Sequence, residues 1–349
     1  MAYTTIDNPE LYFQTKLYTG NDSDNHSITL DGSENMQPDW LWIKQRGDAG
    51  YDHSLTDSVR GSTKMLYSDL NRTEDTHSTG VKSFDINGFT LGVDDGTGGA
   101  YANLVNYTKN YVAWNWKKTA VSGFDIVTAT GTGSAKTISH SLSAVPHWII
   151  SKEKTGSVND WVIYQHKNTA APQTDKLILN ETNATSDDSC WNDTTPTSSV
   201  FSVSGASVVN RSSSTYVYYL FSEKKGFSKF GSYVGNGSTD GTFVFTGFRP
   251  AWVMHKRTDS SASWFITDNK RLGFNSATIN SVSLGNVTLK ANDATSEAEG
   301  TTNMMDLLSN GFKHRQSGGD GNASGGTYIY MAFAESPFVN SSGVPTNAR

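Results

Sequence analysis

The 349-residue chain carries one cysteine, Cys190, which excludes an intrachain disulfide and leaves stability to packing, to association between copies, or to both. Charge is sparse as well. Lysine and arginine number 28 against 34 aspartates and glutamates, a net charge of −6, and no Lys/Arg run offsets it locally. Such a field draws the chain neither to nucleic acid nor to an anionic bilayer, and it disfavours phosphate binding. No stretch approaches the roughly 20 apolar residues of a membrane span, so membrane insertion is not expected. Ala2 to Gln14 lacks both the basic start and the continuous apolar core of a secretory leader, and synthesis in a cytoplasm is the expectation. Long amphipathic helical periods are missing too.

Catalytic and metal-ligating spacings are equally scarce. The eight histidines, His26, His53, His77, His140, His147, His166, His255 and His314, show no His-Glu-x-x-His arrangement. There is no Gly-x-Ser-x-Gly, no phosphate-cradling glycine loop and no Cys-His pair. The acidic glycine-rich turns Asp94 to Gly99, Asp187-Asp188 and Gly318 to Asn322 lack the alternating register of a calcium loop. Carboxylate pairs for glycoside hydrolysis meet in space and not in spacing, so the sequence does not address them. The expectation is a protein without catalytic residues, metal or cofactor. Asn-x-Ser/Thr triplets, among them Asn106, Asn210 and Asn322, read as a by-product of Asn/Ser/Thr-rich loops.

What the chain does have is a repeated phrase. Gln37-Pro38-Asp39-Trp40-Leu41-Trp42-Ile43-Lys44, Val145-Pro146-His147-Trp148-Ile149-Ile150-Ser151-Lys152 and Arg249-Pro250-Ala251-Trp252-Val253-Met254-His255-Lys256 recur at an interval of about a hundred residues, the size of one small sandwich domain. In each, Trp lies two residues after Pro and Lys four after Trp. On a strand, Trp40, Trp42 and Lys44 share one face and Leu41 and Ile43 the other. A second aromatic strand follows at Trp161 to Tyr164 and at Trp264 to Ile266. The first copy departs from it, with Tyr51-Asp52-His53-Ser54-Leu55 in that slot. Later come turns around Phe89, Phe201 and Phe312, then closing aromatic strands at Tyr111 to Trp116, Tyr216 to Phe221 and Tyr328 to Phe333. Many short β-runs joined by Gly, Ser, Thr and Asn turns predict an all-β chain of three tandem β-sandwich, jelly-roll or lectin-like, modules. The boundaries are an arm at 1–16, modules at 17–118, 123–222 and 230–338, and a solvated polar tail at 339–349. The linkers are too short for free tethers, so the modules should pack together.

Three residue sets stand out. Trp40, Trp148 and Trp252, with Phe89, Phe201 and Phe312, read as the repeated core. Trp161, Trp191 and Trp264 are the candidates for stacking on a sugar ring, Trp191 because it sits in a polar loop without a counterpart. Tyr3, Ile6, Leu11, Tyr12 and Phe13 must bury their side chains on the chain itself or on a neighbour, which makes the arm a candidate oligomer or particle anchor.

The opening Asn8-Pro9 to Asn21, the phrase Gln37 to Lys44, the run Asp57-Ser58-Val59-Arg60-Gly61 and the closing Asn322 to Glu335 resemble an uncharacterised repeat-domain family of tailed-bacteriophage virion proteins, common in aquatic phages and often encoded near tail-fibre parts. The resemblance implies a structural virion protein that assembles as an oligomer with other virion proteins, with a host-surface glycan as ligand for a tail-fibre adhesin. A capsid decoration or head-fibre protein held by its arm, and a polysaccharide-degrading tail enzyme, are the alternatives.

Overall fold

The computed structural model describes residues 3–93, 104–271, 277–279, 282–284, 287–299 and 304–346. They form antiparallel sheets with only one-turn helical pieces. One strand order occurs three times. The first six-stranded sheet runs, edge to edge, Phe13–Thr19, Asn110–Trp116, Trp40–Gln45, Ser54–Asp57, Gly61–Leu66 and Asp75–Thr76. The second runs Phe124–Thr130, Thr215–Phe221, Trp148–Glu153, Val162–Gln165, Asp175–Ile178 and Ser186–Asp187. The third runs Ser228–Val234, Thr327–Pro337, Phe248–Arg257, Trp264–Asp268, Val287–Lys290 and Ala298–Glu299. Register recurs with order: Trp40, Trp148 and Trp252 lie opposite Trp116, Phe221 and Phe333. Each large sheet closes its first strand on its last long one, so no strand is exchanged between the three.

Side-chain alternation sends the two faces of the first and second large sheets to different cores, while both faces of the third belong to one cluster. Leu41 and Ile43 face a small sheet of His26–Thr29, Gly88–Leu91 and Val81–Asp85 and meet Ile28, Phe89 and Leu91 there. Ile149 and Tyr164 likewise meet Ile138 and Phe201, from Lys136–Ser139 and Val200–Val203. Phe312, on Gly311–His314, holds the matching place in the third small sheet and is fully buried. The sandwich expectation therefore holds, with Phe89, Phe201 and Phe312 inside.

The opposite faces converge. Trp40, Trp42, Trp114, Trp116, Trp148, Trp161, Trp252 and Trp264 belong to a single buried cluster drawn from all three large sheets. Trp40 stacks on Tyr219 at 4.6 Å between ring centroids. Trp116 meets Trp252 edge-on at 5.6 Å, and Trp148 meets Trp264 at 6.1 Å. A sheet buried on both faces reads as a continuous apolar run, which explains Trp-Leu-Trp-Ile and Trp-Ile-Ile.

The arm is shorter than expected. Phe13 to Lys16 pair in register with Trp116 to Ala113, because Phe13 stacks on Phe333 at 5.2 Å and fills the central cluster. Ile6 is buried in the same cluster, Tyr12 packs on Phe227, and the Tyr3 hydroxyl donates to Gly247 O. Leu11 ends a one-turn helix and is half-buried. The arm thus packs on its own chain, against the third sheet. That sheet's first strand starts at Ser228 rather than 230. Residues 341–346 of the tail are exposed but fold back, with Ser341 donating to Asp7.

One loop device recurs with the sheets. Gly20, Gly131 and Gly235 end the first strand of each large sheet, and a Cβ there would lie 2.0, 2.0 and 2.3 Å from the carbonyls of Tyr107, Arg211 and Ala323. The following residue donates its N–H to the side-chain oxygen of a fully buried asparagine, Asn106, Asn210 or Asn322. Asn210 also donates to Ser134 O and Ser204 O. Its replacement by alanine takes the partner from three backbone groups, of which Ser204 O is in a buried contact, and we expect a loss of about 1–3 kcal/mol, measured by urea unfolding.

Candidate functional site

The structure moves the candidate sugar-stacking tryptophans indoors. Trp161 and Trp264 are 0% exposed and Trp191 1% exposed, so no ring presents a face to a glycan. Trp191 packs edge-on against Tyr164 between the layers of the second sandwich. Its polar loop misleads because Asp188 turns inward to cap Cys190 and to pair with Lys176.

Trp161 and Trp264 instead join sheet to sheet. Trp161 donates its indole N–H to Tyr67 O of the first repeat, at 2.7 Å, and Trp264 donates to Ile178 O of the second, at 2.8 Å. His53 stands in the same register slot and completes the ring. Its Nδ1 accepts from Trp42, so Nε2 carries the proton and donates to Lys290 O of the third repeat at 2.9 Å. Burial holds His53 well below the usual histidine range. The three phrase lysines repeat the pattern: Lys44 donates to Ala294 O, Lys152 to Asn71 O and Lys256 to Thr182 O. All three are fully buried, and desolvation brings each down to about 8. Sequence showed the lysines as a strand-face regularity; that each reaches the neighbouring repeat is a tertiary fact.

Among the described residues, no group of three or more His, Cys, Asp or Glu could hold a metal. Asp94 to Gly99 lies outside those residues, and Asn322 of the third turn is spent as a buried cap.

A cleft of about 770 Å³ lies between the second and third repeats. One wall carries His147, His166, Lys167 and Glu223, the other Lys229, Ser232, Phe243 and Phe245, and Tyr330 lines it too. Phe243 and Phe245 are 44% and 52% exposed on the edge strand of the third small sheet. The wall histidines are fixed: His147 Nδ1 accepts from Glu223 N, and His166 Nε2 donates to Phe230 O. Their rings meet at 4.4 Å. Desolvation lowers both, His166 to about 4, so at neutral pH neither is charged. Burial and the nearby Glu223 keep the Tyr330 phenol protonated, a donor.

The position of this opening has a register cause. Gly231 on the third sheet's first strand stands where the first and second sheets have Lys16 and Val127. A missing side chain in a strand admits close approach by another group. At the corresponding place between the third and first repeats, Phe13, Gln14 and Glu10 leave only about 60 Å³. Exposed phenylalanines separated by one residue were the available sequence signal, in Phe243-Val244-Phe245.

Comparison with curated proteins yields no match. Residues 8–337 match the family described as "Domain of unknown function (DUF7483)", and the chain belongs to that family.

Proposed function

We propose that this chain is a non-enzymatic structural protein of a tailed-phage particle, three sandwich modules locked into one body, acting as a tail-fibre or tail-associated adhesin for host-surface glycan. The observation that carries the binding role is the cleft between the second and third repeats, whose rim holds two exposed aromatic rings on a rigid edge strand. Aromatic faces take the apolar side of a sugar, while Glu223, Ser232 and the Tyr330 hydroxyl supply acceptors and donors for its hydroxyls. A single carboxylate lines the cleft, whereas glycoside hydrolysis uses two, which favours binding over cleavage there. The arm-anchored decoration reading draws less support, since Ile6 and Phe13 are already buried in their own chain.

The test is adsorption. Particles lacking the protein should adsorb poorly to their host, and Phe245→Ala in the purified chain should weaken binding to host envelope polysaccharide by about tenfold. Undiminished adsorption of the depleted particles would refute the role.

A further inference from the structure

The same cleft says what kind of sugar it would take. Its walls and rim carry Lys167, Lys225 and Lys229 against one acid, Glu223. This cationic excess stands out in a chain whose net charge is −6. Among the described residues no salt bridge neutralises any of the three: the only charge-linked contacts are Lys225 over the Tyr3 ring at 4.4 Å and Lys229 over the Phe245 ring at 6.0 Å. Many surface lysines elsewhere are paired, as in Lys16–Asp31, Lys82–Asp24, Lys109–Asp48, Lys176–Asp188 and Lys313–Asp240.

A second, independent feature points into the same space. Tyr330 is 2% exposed, yet among the described residues its hydroxyl has no hydrogen-bond partner. Its register equivalent in the second repeat, Tyr218, donates to Val209 O at 2.7 Å. The phenol oxygen of Tyr330 lies 2.6 Å from where a Cβ on Gly231 would be, so glycine is what leaves it open to the cleft. An unspent phenol donor on a buried ring, in the same cleft as ammonium groups that no salt bridge takes, is the arrangement of a site for an anionic oxygen ligand.

We infer that the cleft between the second and third repeats binds an acidic saccharide, its carboxylate or sulfate held by Lys167 and Lys229 and its ring packed on Phe245. This rests on the glycan-binding reading above and names the ligand class for that site. Glu223, on the same wall as Lys167, accepts from sugar hydroxyls and disfavours a polyanion that fills the cleft with charge, such as a nucleic acid.

Calorimetric titration of the full chain with a tetra-uronate, a sulfated tetrasaccharide and a neutral glucose tetrasaccharide tests this. The acidic probes should bind about tenfold or more tightly than the neutral one, with the preference shrinking as salt rises. The double variant Lys167→Ala/Lys229→Ala should lose that preference and keep the neutral affinity, while Lys136→Ala, on the second small sheet, changes nothing. Phe245→Ala should weaken all three probes. Unchanged thermal unfolding of the lysine variant, whose side chains reach solvent, establishes that it folds. Equal affinity for neutral and acidic probes, or a double variant with intact preference, overturns the charge inference and leaves the glycan reading standing. No binding of any saccharide overturns both.

Discussion

Replacing Trp264 with alanine should cost about 4 kcal/mol or more, the upper range for a large aromatic in a close-packed core. The indole is fully buried, sits 6.1 Å from Trp148 across the boundary between repeats, and donates to Ile178 O. Truncation therefore opens a cavity at the centre and orphans a carbonyl in the neighbouring repeat. Trp264→Phe separates the two effects: it keeps most of the ring and loses the N–H, for about 1–3 kcal/mol. Trp161→Ala should match Trp264→Ala, since it fills the same slot one repeat earlier and donates to Tyr67 O. The measurement is equilibrium urea unfolding with a tryptophan-fluorescence and a circular-dichroism probe. Coincident transitions, with the midpoint lowered and the slope unchanged, are expected. A loss below about 1 kcal/mol, or a transition that splits so that two repeats keep wild-type stability, would show that these contacts do not couple the repeats.

The second large effect is on the pH profile of stability. Lys44, Lys152 and Lys256 are lowered from 10.5 to about 8 by burial. Between those values the unfolded chain holds protons that the folded chain has released, so stability rises with pH from 8 toward 10. Each lysine contributes on the order of 2–3 kcal/mol across that window. The rise turns over near 10. Tyr218, Tyr219 and Tyr233 are raised above 10.0 by burial, and the unfolded chain then sheds protons that the folded chain keeps. On the acid side His53, His255 and His314 are lowered below 6.5 by burial. The unfolded chain binds those protons first, so stability falls as pH drops below about 6.5. Urea midpoints measured across this range should therefore peak near pH 9–10. Lys152→Met should flatten the alkaline rise. A profile level from pH 7 to 10 would show that the lysines are not desolvated in the folded chain.

Particular residues show where sequence reasoning stopped. Alternation along Trp40-Leu41-Trp42-Ile43 correctly divided the two faces, because strand geometry is local. Phe89, Phe201 and Phe312 were legible for the same reason. Trp191 was misread because polar neighbours suggest exposure, whereas Asp188 and Asn192 shape a tight helical turn that points the indole inward. His53 looked like a departure from the repeat. In space it takes the tryptophan's place, since an imidazole with a fixed tautomer also offers one N–H to the next repeat's carbonyl. Asn106, Asn210 and Asn322 were dismissed with the other Asn-x-Ser/Thr triplets, although recurrence just before each closing aromatic strand sets them apart.

By itself the sequence determined that this chain is all-β, that its phrases recur, which residues alternate into strand faces, and that no disulfide holds it. Only the tertiary structure decided that three apolar faces meet in one aromatic cluster, that Lys44, Lys152 and Lys256 reach across to the neighbouring repeat, and that one junction stays open as a cleft. The physical reason is range. Alternation and turn chemistry act between residues close in sequence, while a buried N–H or ammonium finds its carbonyl across chain separations of 74 to 250 residues, and whether a gap is filled depends on side chains that meet only once the sheets have packed.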